Sequence, residues 1–161
     1  MTKTKVYLNT WKNYNNGFLG YGWMTAEEAI EFIEEDPDRA GGEWFIADID
    51  NYLDVDFGNL EYRNVMETLE TIQELESMNE WERKEIIAVM DYLNCNIDEA
   101  IEAKDNYIIY EDIDSYLESM DELIDLSGIP ENLQYYFDYD AYHRDCMLDA
   151  YECSNGIALV G

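Results

Sequence analysis

The stretch TAEEAIEFIEE, residues 25–35, decides the fold because it predicts an amphipathic helix between β-favouring runs. Thr25 and Glu28 have the spacing of a capping box, in which each side chain bonds the other residue's backbone N–H. The apolar positions follow a helical period: Ala26, Ala29, Ile30 and Ile33. The opposite positions are all glutamates: Glu27, Glu31, Glu34 and Glu35. The sequence therefore predicts a helix with one buried face and one acidic face.

Short β-favouring runs lie on both sides of this helix. Residues 5–11 and 18–23 are separated by Asn15-Asn16-Gly17, a turn signal that predicts a β-hairpin. Pro37 and the following glycines end the helix, and residues 44–49 predict a third strand. A small sheet packed against one helix is therefore expected, and we assign residues 1–59 to a first α+β unit.

The middle of the chain changes to a helical period after Tyr62. One stripe is apolar, with Val65, Leu69 and Ile72, and another is acidic, with Glu67, Glu70 and Glu74. Asn79 and Asn96 stand where N-caps of two further helices are expected, and the second of these helices carries Asp98 and Glu102. Residues 60–105 are predicted to form a central helical unit.

The last third, residues 106–161, is predicted to form another α+β unit. A strand at 107–110 precedes a helix over 112–126, which Asp112 can cap. The apolar positions of this helix are Ile113, Leu117, Met120 and Ile124, and its acids are Asp114, Glu118, Asp121, Glu122 and Asp125. Runs at 146–151 and 157–160 predict a closing hairpin. The expected fold class is α+β, with three small units in series.

The composition is extremely acidic, yet it is typical of a folded protein. The chain of 161 residues has 38 Asp and Glu against nine Lys and Arg, a net charge of −29, while 47% of residues are apolar and 14% aromatic. Disordered acidic tails are poor in aromatic residues, so we expect a core. We see no signal peptide and no apolar run of membrane-spanning length, and we predict a cytoplasmic protein with no membrane contact and reduced thiols.

Several function classes are excluded or disfavoured by the residues present. The single histidine, His143, lies beside Asp145 without any nucleophile motif, which indicates a non-enzymatic protein without a cofactor. None of three Asp-x-Asp runs has calcium-loop spacing; from Asp112, for example, Leu123 takes the twelfth position, so no metal site is expected. Direct nucleic-acid binding is excluded because the chain repels phosphates.

The acids are arranged as well as abundant. Solvated helix faces normally mix both signs, yet between Glu85 and Gly161 there are 19 acids against only Lys104 and Arg144. Duplex DNA with 29 charges would be roughly 50 Å long, and a compact globule of this length is about 40 Å across. The charge density is close to that of DNA, although a halophilic proteome is an alternative reason for such acidity.

Three blocks of sequence carry a resemblance to a known family. They are VYL with YNNGFLGYGW (residues 6–8 and 14–23), NIDEA (96–100) followed by Tyr107 and the acidic helix, and PENLQYYFDYDAYHRD (130–145). In this order they are similar to the opening, middle and closing signatures of the ArdA antirestriction proteins of mobile genetic elements. The segment after Tyr62 and the end after Asp145 depart from the family pattern.

The resemblance implies a function and a mode of action. It implies an elongated protomer of three units that forms a homodimer through its C-terminal unit, mimics bent DNA and occupies the DNA-binding groove of a type I restriction-modification enzyme. The candidate mimic carboxylates are Glu27, Glu31, Glu34, Glu35, Glu67, Glu70, Glu74, Asp98, Glu102, Asp112, Asp114, Glu118, Asp121, Glu122 and Asp125. The candidate dimer interface is the cluster of Tyr135, Tyr136 and Tyr139, since tyrosine is enriched in interface cores. The alternative is an acidic adaptor or chaperone for basic nucleoid-type proteins.

Overall fold

The computed structural model describes residues 3–50, 53 and 55–161, and it has a mixed α+β fold as the sequence predicts. Its contacts divide the chain into two compact units, Met1–Arg83 and Lys84–Gly161. The finer division into three units at residues 59 and 105 stays a prediction. No helix among the described residues is long and apolar enough to cross a membrane.

The first unit contains a three-stranded antiparallel sheet. Its strands are β1 (Lys5–Thr10), β2 (Trp23–Thr25) and β3 (Trp44–Asp50), in the order β2-β1-β3. In the central strand Val6 and Leu8 are fully buried, and Asn9 and Thr10 at its end are buried as well. The third strand predicted over residues 44–49 is confirmed as β3. β1 is the central strand of the sheet.

The connection from β1 to β2 differs from the predicted hairpin. Residues 11–15 form a short helix, α1 (Trp11–Asn15), and residues 18–22 are not a strand. Thr10 Oγ1 accepts the Asn13 N–H and caps this helix, so the Asn-rich signal ends a helix instead of turning a hairpin. β1 lies where the first strand was predicted and is antiparallel to β2, but the position of the second strand and the tight turn were wrong.

Two helices complete the core of the first unit. Helix α2 (Ala26–Glu35) begins with the predicted capping box between Thr25 and Glu28. It packs against α3 (Val65–Ser77), which Asn64 caps. Both helices bury their apolar stripe, namely Ala26, Ala29 and Ile33 on α2 and Val65, Leu69, Ile72 and Leu75 on α3.

The next two helices begin at predicted caps. Asn79 and Glu82 bond each other's backbone at the start of α4 (Glu80–Leu93). Asn96 accepts the Glu99 N–H at the start of α5 (Ile97–Ala103), which continues into a single 3-10 turn. The helical character of this segment is confirmed.

The second unit has its own three-stranded sheet, with β4 (Ile108–Tyr110), β5 (Ala150–Glu152) and β6 (Ala158–Val160) in the order β4-β6-β5. The closing hairpin is confirmed, with Tyr151 opposite Leu159. Its first strand starts later than predicted, because Cys146 belongs to a helix.

Three helices lie between β4 and β5: α6 (Ile113–Asp121), α7 (Glu131–Gln134) and α8 (Tyr139–Met147). Helix α6 is shorter than predicted. The Asp125 side chain accepts the Ser127 N–H, a local bond that competes with helix, and Leu123 is 72% exposed. The buried residue of α6 is Tyr116, whose hydroxyl donates to the Cys146 carbonyl at 2.8 Å.

Candidate acidic interaction surface

The acidic side chains of this protein lie at its surface. None of the Asp and Glu residues that the structure describes is buried, and all except Glu76, Glu82, Glu85 and Asp121 are exposed. Burying an unpaired carboxylate would lower the stability of the fold by several kcal/mol, so a chain with this many acids has to expose them to solvent. The predicted mimic carboxylates are therefore exposed, with Asp121 as the exception.

Helix α2 carries the first stripe of carboxylates. Glu27, Glu31 and Glu34 are spaced i, i+4 and i+7, which places them on one face at axial steps of roughly 6 and 4.5 Å. All three are exposed, while Ala29 and Ile33 on the opposite side are buried. The burial of the apolar face therefore fixes the direction in which the glutamates point.

Helix α3 repeats this arrangement within the same unit. Glu67, Glu70 and Glu74 are exposed at i, i+3 and i+7, again about 4.5 and 6 Å apart along the axis. Leu69 and Ile72 on the other side have no exposed surface. Two packed helices thus each present three carboxylates to solvent.

The second unit carries acids on α5, on α6 and beyond it. Asp98 and Glu102 are exposed on α5, one helical turn apart. On α6 the exposed pair is Asp114 and Glu118, and Glu122 follows as the exposed C-cap residue. These three acids are four residues apart in turn, so one stripe runs along α6 to its end.

Asp112 precedes this stripe in the chain and Asp125 follows it. Each accepts a hydrogen bond from a backbone N–H group. Hydrogen bonds from Ser115 to Asp112 hold the pKa of that carboxyl below its ordinary value. Hydrogen bonds from Ser127 lower the pKa of Asp125 in the same way. Both carboxylates are consequently ionised at neutral pH, as a phosphate-like surface requires.

Asp121 differs from the exposed candidate carboxylates because its side chain is partly buried against another helix. Its Oδ1 lies 2.7 Å from His143 Nε2 on α8, and its side chain is 35% exposed. The sequence showed a single histidine near an acidic helix, but it gave no sign that α8 returns to the end of α6. We therefore assign Asp121 a structural bond.

Two of the chain's few cations face the protein's own framework. The Arg39 guanidinium lies 4.5 Å from the centre of the Phe32 ring, a cation–π contact. Arg83 Nη1 donates to the carbonyl oxygens of Leu75 and Met78 at the C-terminal end of α3, where helix carbonyls need partners from outside the helix. These two contacts lie within the first unit and stabilise its fold. Arg39 and Arg83 are therefore engaged with the protein's own rings and carbonyls.

The predicted tyrosine cluster is exposed. Tyr135 is 74%, Tyr136 69% and Tyr139 44% exposed, and the first two rings stack at 4.2 Å. Leu133, in the same segment, is also exposed. These exposed side chains are not among the buried residues of the second unit, which include Tyr116, Val89 and Leu159.

Catalytic and metal chemistry find little support in the described part of the chain. No group of three His, Cys, Asp or Glu side chains among the described residues is arranged to hold a metal ion. None of the three cysteines is in a disulfide, and Cys146 and Cys153 are buried. What the arrangement can do chemically is bind cationic groups at many points.

Comparison with known protein families identifies a match. The model of the family described as antirestriction protein (ArdA) matches residues 6–158, nearly the whole chain. No curated protein sequence matches it.

Proposed function

The chain belongs to the ArdA antirestriction protein family, and from this premise we propose that it is a DNA mimic. In this proposal it occupies the DNA-binding groove of a type I restriction-modification enzyme in the cytoplasm and keeps DNA out. Antirestriction through interaction with restriction-modification enzymes, without catalysis, is the function of the family. The groove and the mimicry are our inference.

The observation that carries the proposal is the repeated carboxylate stripe. On α2 and α3, three exposed glutamates follow one another at axial steps of roughly 4.5–6 Å. Successive phosphates of one DNA strand are 3.4 Å apart along the axis, so each step corresponds to between one and two phosphates. A groove lined with Lys and Arg to fit phosphates would therefore find negative charges at similar intervals.

Binding would then follow the physics of protein–DNA association. The carboxylates pair with the groove's Lys and Arg, and counterions condensed around both partners are released. Because each contact is one among many, single neutralised acids should change affinity little. Affinity should nevertheless fall steeply as salt increases.

A homodimer would give the mimic a useful length. Two protomers present about 58 net charges, which by DNA spacing correspond to roughly 100 Å or 29 base pairs. The exposed surface of Tyr135, Tyr136 and Tyr139 supports a contact between copies, because aromatic side chains are enriched at interface cores. This tyrosine cluster is our proposed dimer interface.

Competition for a purified type I methyltransferase core tests the proposal. We expect the protein to displace DNA from the core, with an affinity that falls steeply with salt. A triple variant, Asp114→Asn with Glu118→Gln and Glu122→Gln, should bind more weakly and with a smaller salt slope. Its matched control exchanges Asp and Glu at the same positions and keeps the charges, so it should bind nearly as well as the wild type.

Two outcomes would contradict the mimicry. One is an affinity that stays constant between low and high salt. The other is binding that DNA does not compete with, particularly if a basic nucleoid-type protein is bound more tightly, which would favour the adaptor or chaperone alternative.

The dimer is tested separately. Tyr135→Ser with Tyr136→Ser should shift the sedimentation coefficient to that of a monomer, because the variant removes apolar contact area. Tyr62→Ser is the matched control, since Tyr62 is 86% exposed and lies in the first unit. A wild-type protein that sediments as a monomer at micromolar concentration would refute the interface.

A further inference from the structure

We propose that the loop of residues 18–22 is an apolar anchor, and that Leu19 at its tip inserts into an uncharged pocket beside the basic groove of the target protein. This inference rests on the proposed function and adds a contact that DNA itself does not offer. Leu19 is 86% exposed, and Phe18 beside it is 43% exposed.

The loop lies in the longest stretch of the chain without a charged side chain. That stretch runs from Asn13 to Ala26, between Lys12 and Glu27. Charged residues are depleted at the cores of protein–protein interfaces, where aromatic residues are enriched. In a protein with a net charge of −29, an uncharged exposed segment with Phe18 and Trp23 is where an interface core would be expected.

Hydrogen bonds to the central strand hold the loop on both sides of Leu19. Asn9 is 1% exposed, and its Nδ2 donates to the Phe18 carbonyl at 3.0 Å. On the other side of Leu19, the Tyr21 N–H donates to the Leu8 carbonyl at 2.9 Å. The backbone is therefore bonded to the central strand immediately before and nearly immediately after the exposed leucine.

A second pair of bonds joins the loop to α1. The Phe18 N–H donates to the Asn13 carbonyl at 2.9 Å, and Asn13 Nδ2 donates to the Tyr21 hydroxyl at 2.6 Å. Gly20 completes the arrangement, because a Cβ there would collide with the Tyr7 ring, and its φ of +135° favours glycine. The loop can lie this close to β1 only with glycine at position 20.

A single exposed leucine is ordinary on a protein surface. Here the leucine follows Phe18, whose carbonyl accepts a hydrogen bond from the buried side chain of Asn9. This bond holds the backbone next to Leu19. Fixing a loop in its bound conformation removes the entropy that binding would otherwise lose, so a rigid apolar tip binds more tightly than a mobile one. The combination of rigidity, exposure and neutrality points to an anchor.

The charge of the chain decides which partner the anchor fits. The proposed contact with a second copy is the cluster of Tyr135, Tyr136 and Tyr139 in the second unit, so the loop of residues 18–22 is left for another partner. A protein with a basic groove is attracted by the same charge and can present an apolar pocket at the edge of that groove. The occupant is thus the basic target protein.

Two separable components of affinity follow. The carboxylates supply a component that decreases with salt, and Leu19 supplies one that does not, because apolar burial involves no counterion release. Leu19→Asn should weaken binding to the type I methyltransferase core by about tenfold, by the same factor at low and at high salt. The matched control is Leu148→Asn, which is 83% exposed in the second unit and should bind like the wild type.

The same titrations separate failure of the anchor from failure of the mimicry. If the wild type does not bind the core, the proposed function is overturned and the anchor with it. If the wild type binds and Leu19→Asn binds equally well, or if Leu148→Asn loses as much, only the anchor is overturned. A change in sedimentation coefficient on Leu19→Asn would assign the tip to a second copy and would likewise overturn it.

Discussion

The imidazole of His143 bonds the last residue of α6, with its Nε2 2.7 Å from Oδ1 of Asp121. Next to it, the Tyr142 hydroxyl donates to the Met120 carbonyl at 3.1 Å. Two consecutive residues of α8 therefore hold two consecutive residues at the end of α6. The contact joins α8 to the C-terminal end of α6.

His143→Ala should lower the free energy of unfolding by about 1 kcal/mol, the usual net value of a hydrogen bond. Tyr142→Phe should have a similar effect, since it removes only the hydroxyl that bonds Met120. Urea unfolding followed by circular dichroism measures both. Asp114→Asn, an exposed change on the same helix, should leave the midpoint nearly unaltered; a loss there as large as that of His143→Ala would argue against a specific bond.

Asp112→Ala should lower the thermal midpoint at pH 7, because it removes the cap of α6. Hydrogen bonds from Ser115 lower the pKa of Asp112 in the folded state, below the value of about 3.9 of an unfolded aspartate. The stabilisation is therefore fully present above that unfolded value and is lost as pH falls through the lower folded pKa.

A series of melting curves from pH 7 to pH 2 tests this linkage. The difference in melting temperature between the wild type and Asp112→Ala should decrease as the pH is lowered. Asp112→Asn is the matched control, since asparagine caps helices as well as aspartate but does not titrate in this range. An unchanged difference across the range would show that ionisation of Asp112 contributes nothing.

Four of the helix starts could be predicted because a cap and its partner are three residues apart, whereas α7 and α8 were not predicted. Thr25, Asn79, Asn96 and Asp112 all accept the N–H that their sequence position predicts. The outward direction of the glutamates on α2 and α3 was predictable for a similar reason, since one helical period places the apolar and acidic residues on opposite faces.

The features that could not be predicted from the sequence depend on contacts between distant residues or on competing local hydrogen bonds. The hairpin signal at Asn15-Asn16-Gly17 was outweighed by Thr10, which caps α1 from inside the strand run. The end of α6 depended on Asp125 bonding Ser127 and on α8 returning to Asp121. The exposure of Leu19 depends on Asn9, nine residues before Phe18 along the chain, which no local pattern reveals.

Gly20→Ala should destabilise the first unit by more than Gly22→Ala does. Both glycines have positive φ, +135° and +92°, so either substitution costs on the order of 1–3 kcal/mol in backbone strain. Only at Gly20 does the new Cβ also meet Tyr7, whereas nothing lies within 4 Å at Gly22. Equal unfolding midpoints for the two variants would show that the loop is not packed against β1.

Cys153 should be inert toward thiol reagents in the folded protein. Burial, with a smaller contribution from the charge of Asp91, raises the pKa of Cys153 to about 11, and its Sγ donates to the Ala88 carbonyl at 3.4 Å. Only the thiolate reacts, so at pH 8 roughly one thiol in a thousand is in the reactive form. Reaction with a disulfide reagent at pH 8 should leave Cys153 unmodified by mass spectrometry until denaturant is added. Cys153→Ala should accordingly leave the native reaction kinetics of the remaining thiols unchanged, and rapid native labelling of Cys153 would contradict its burial.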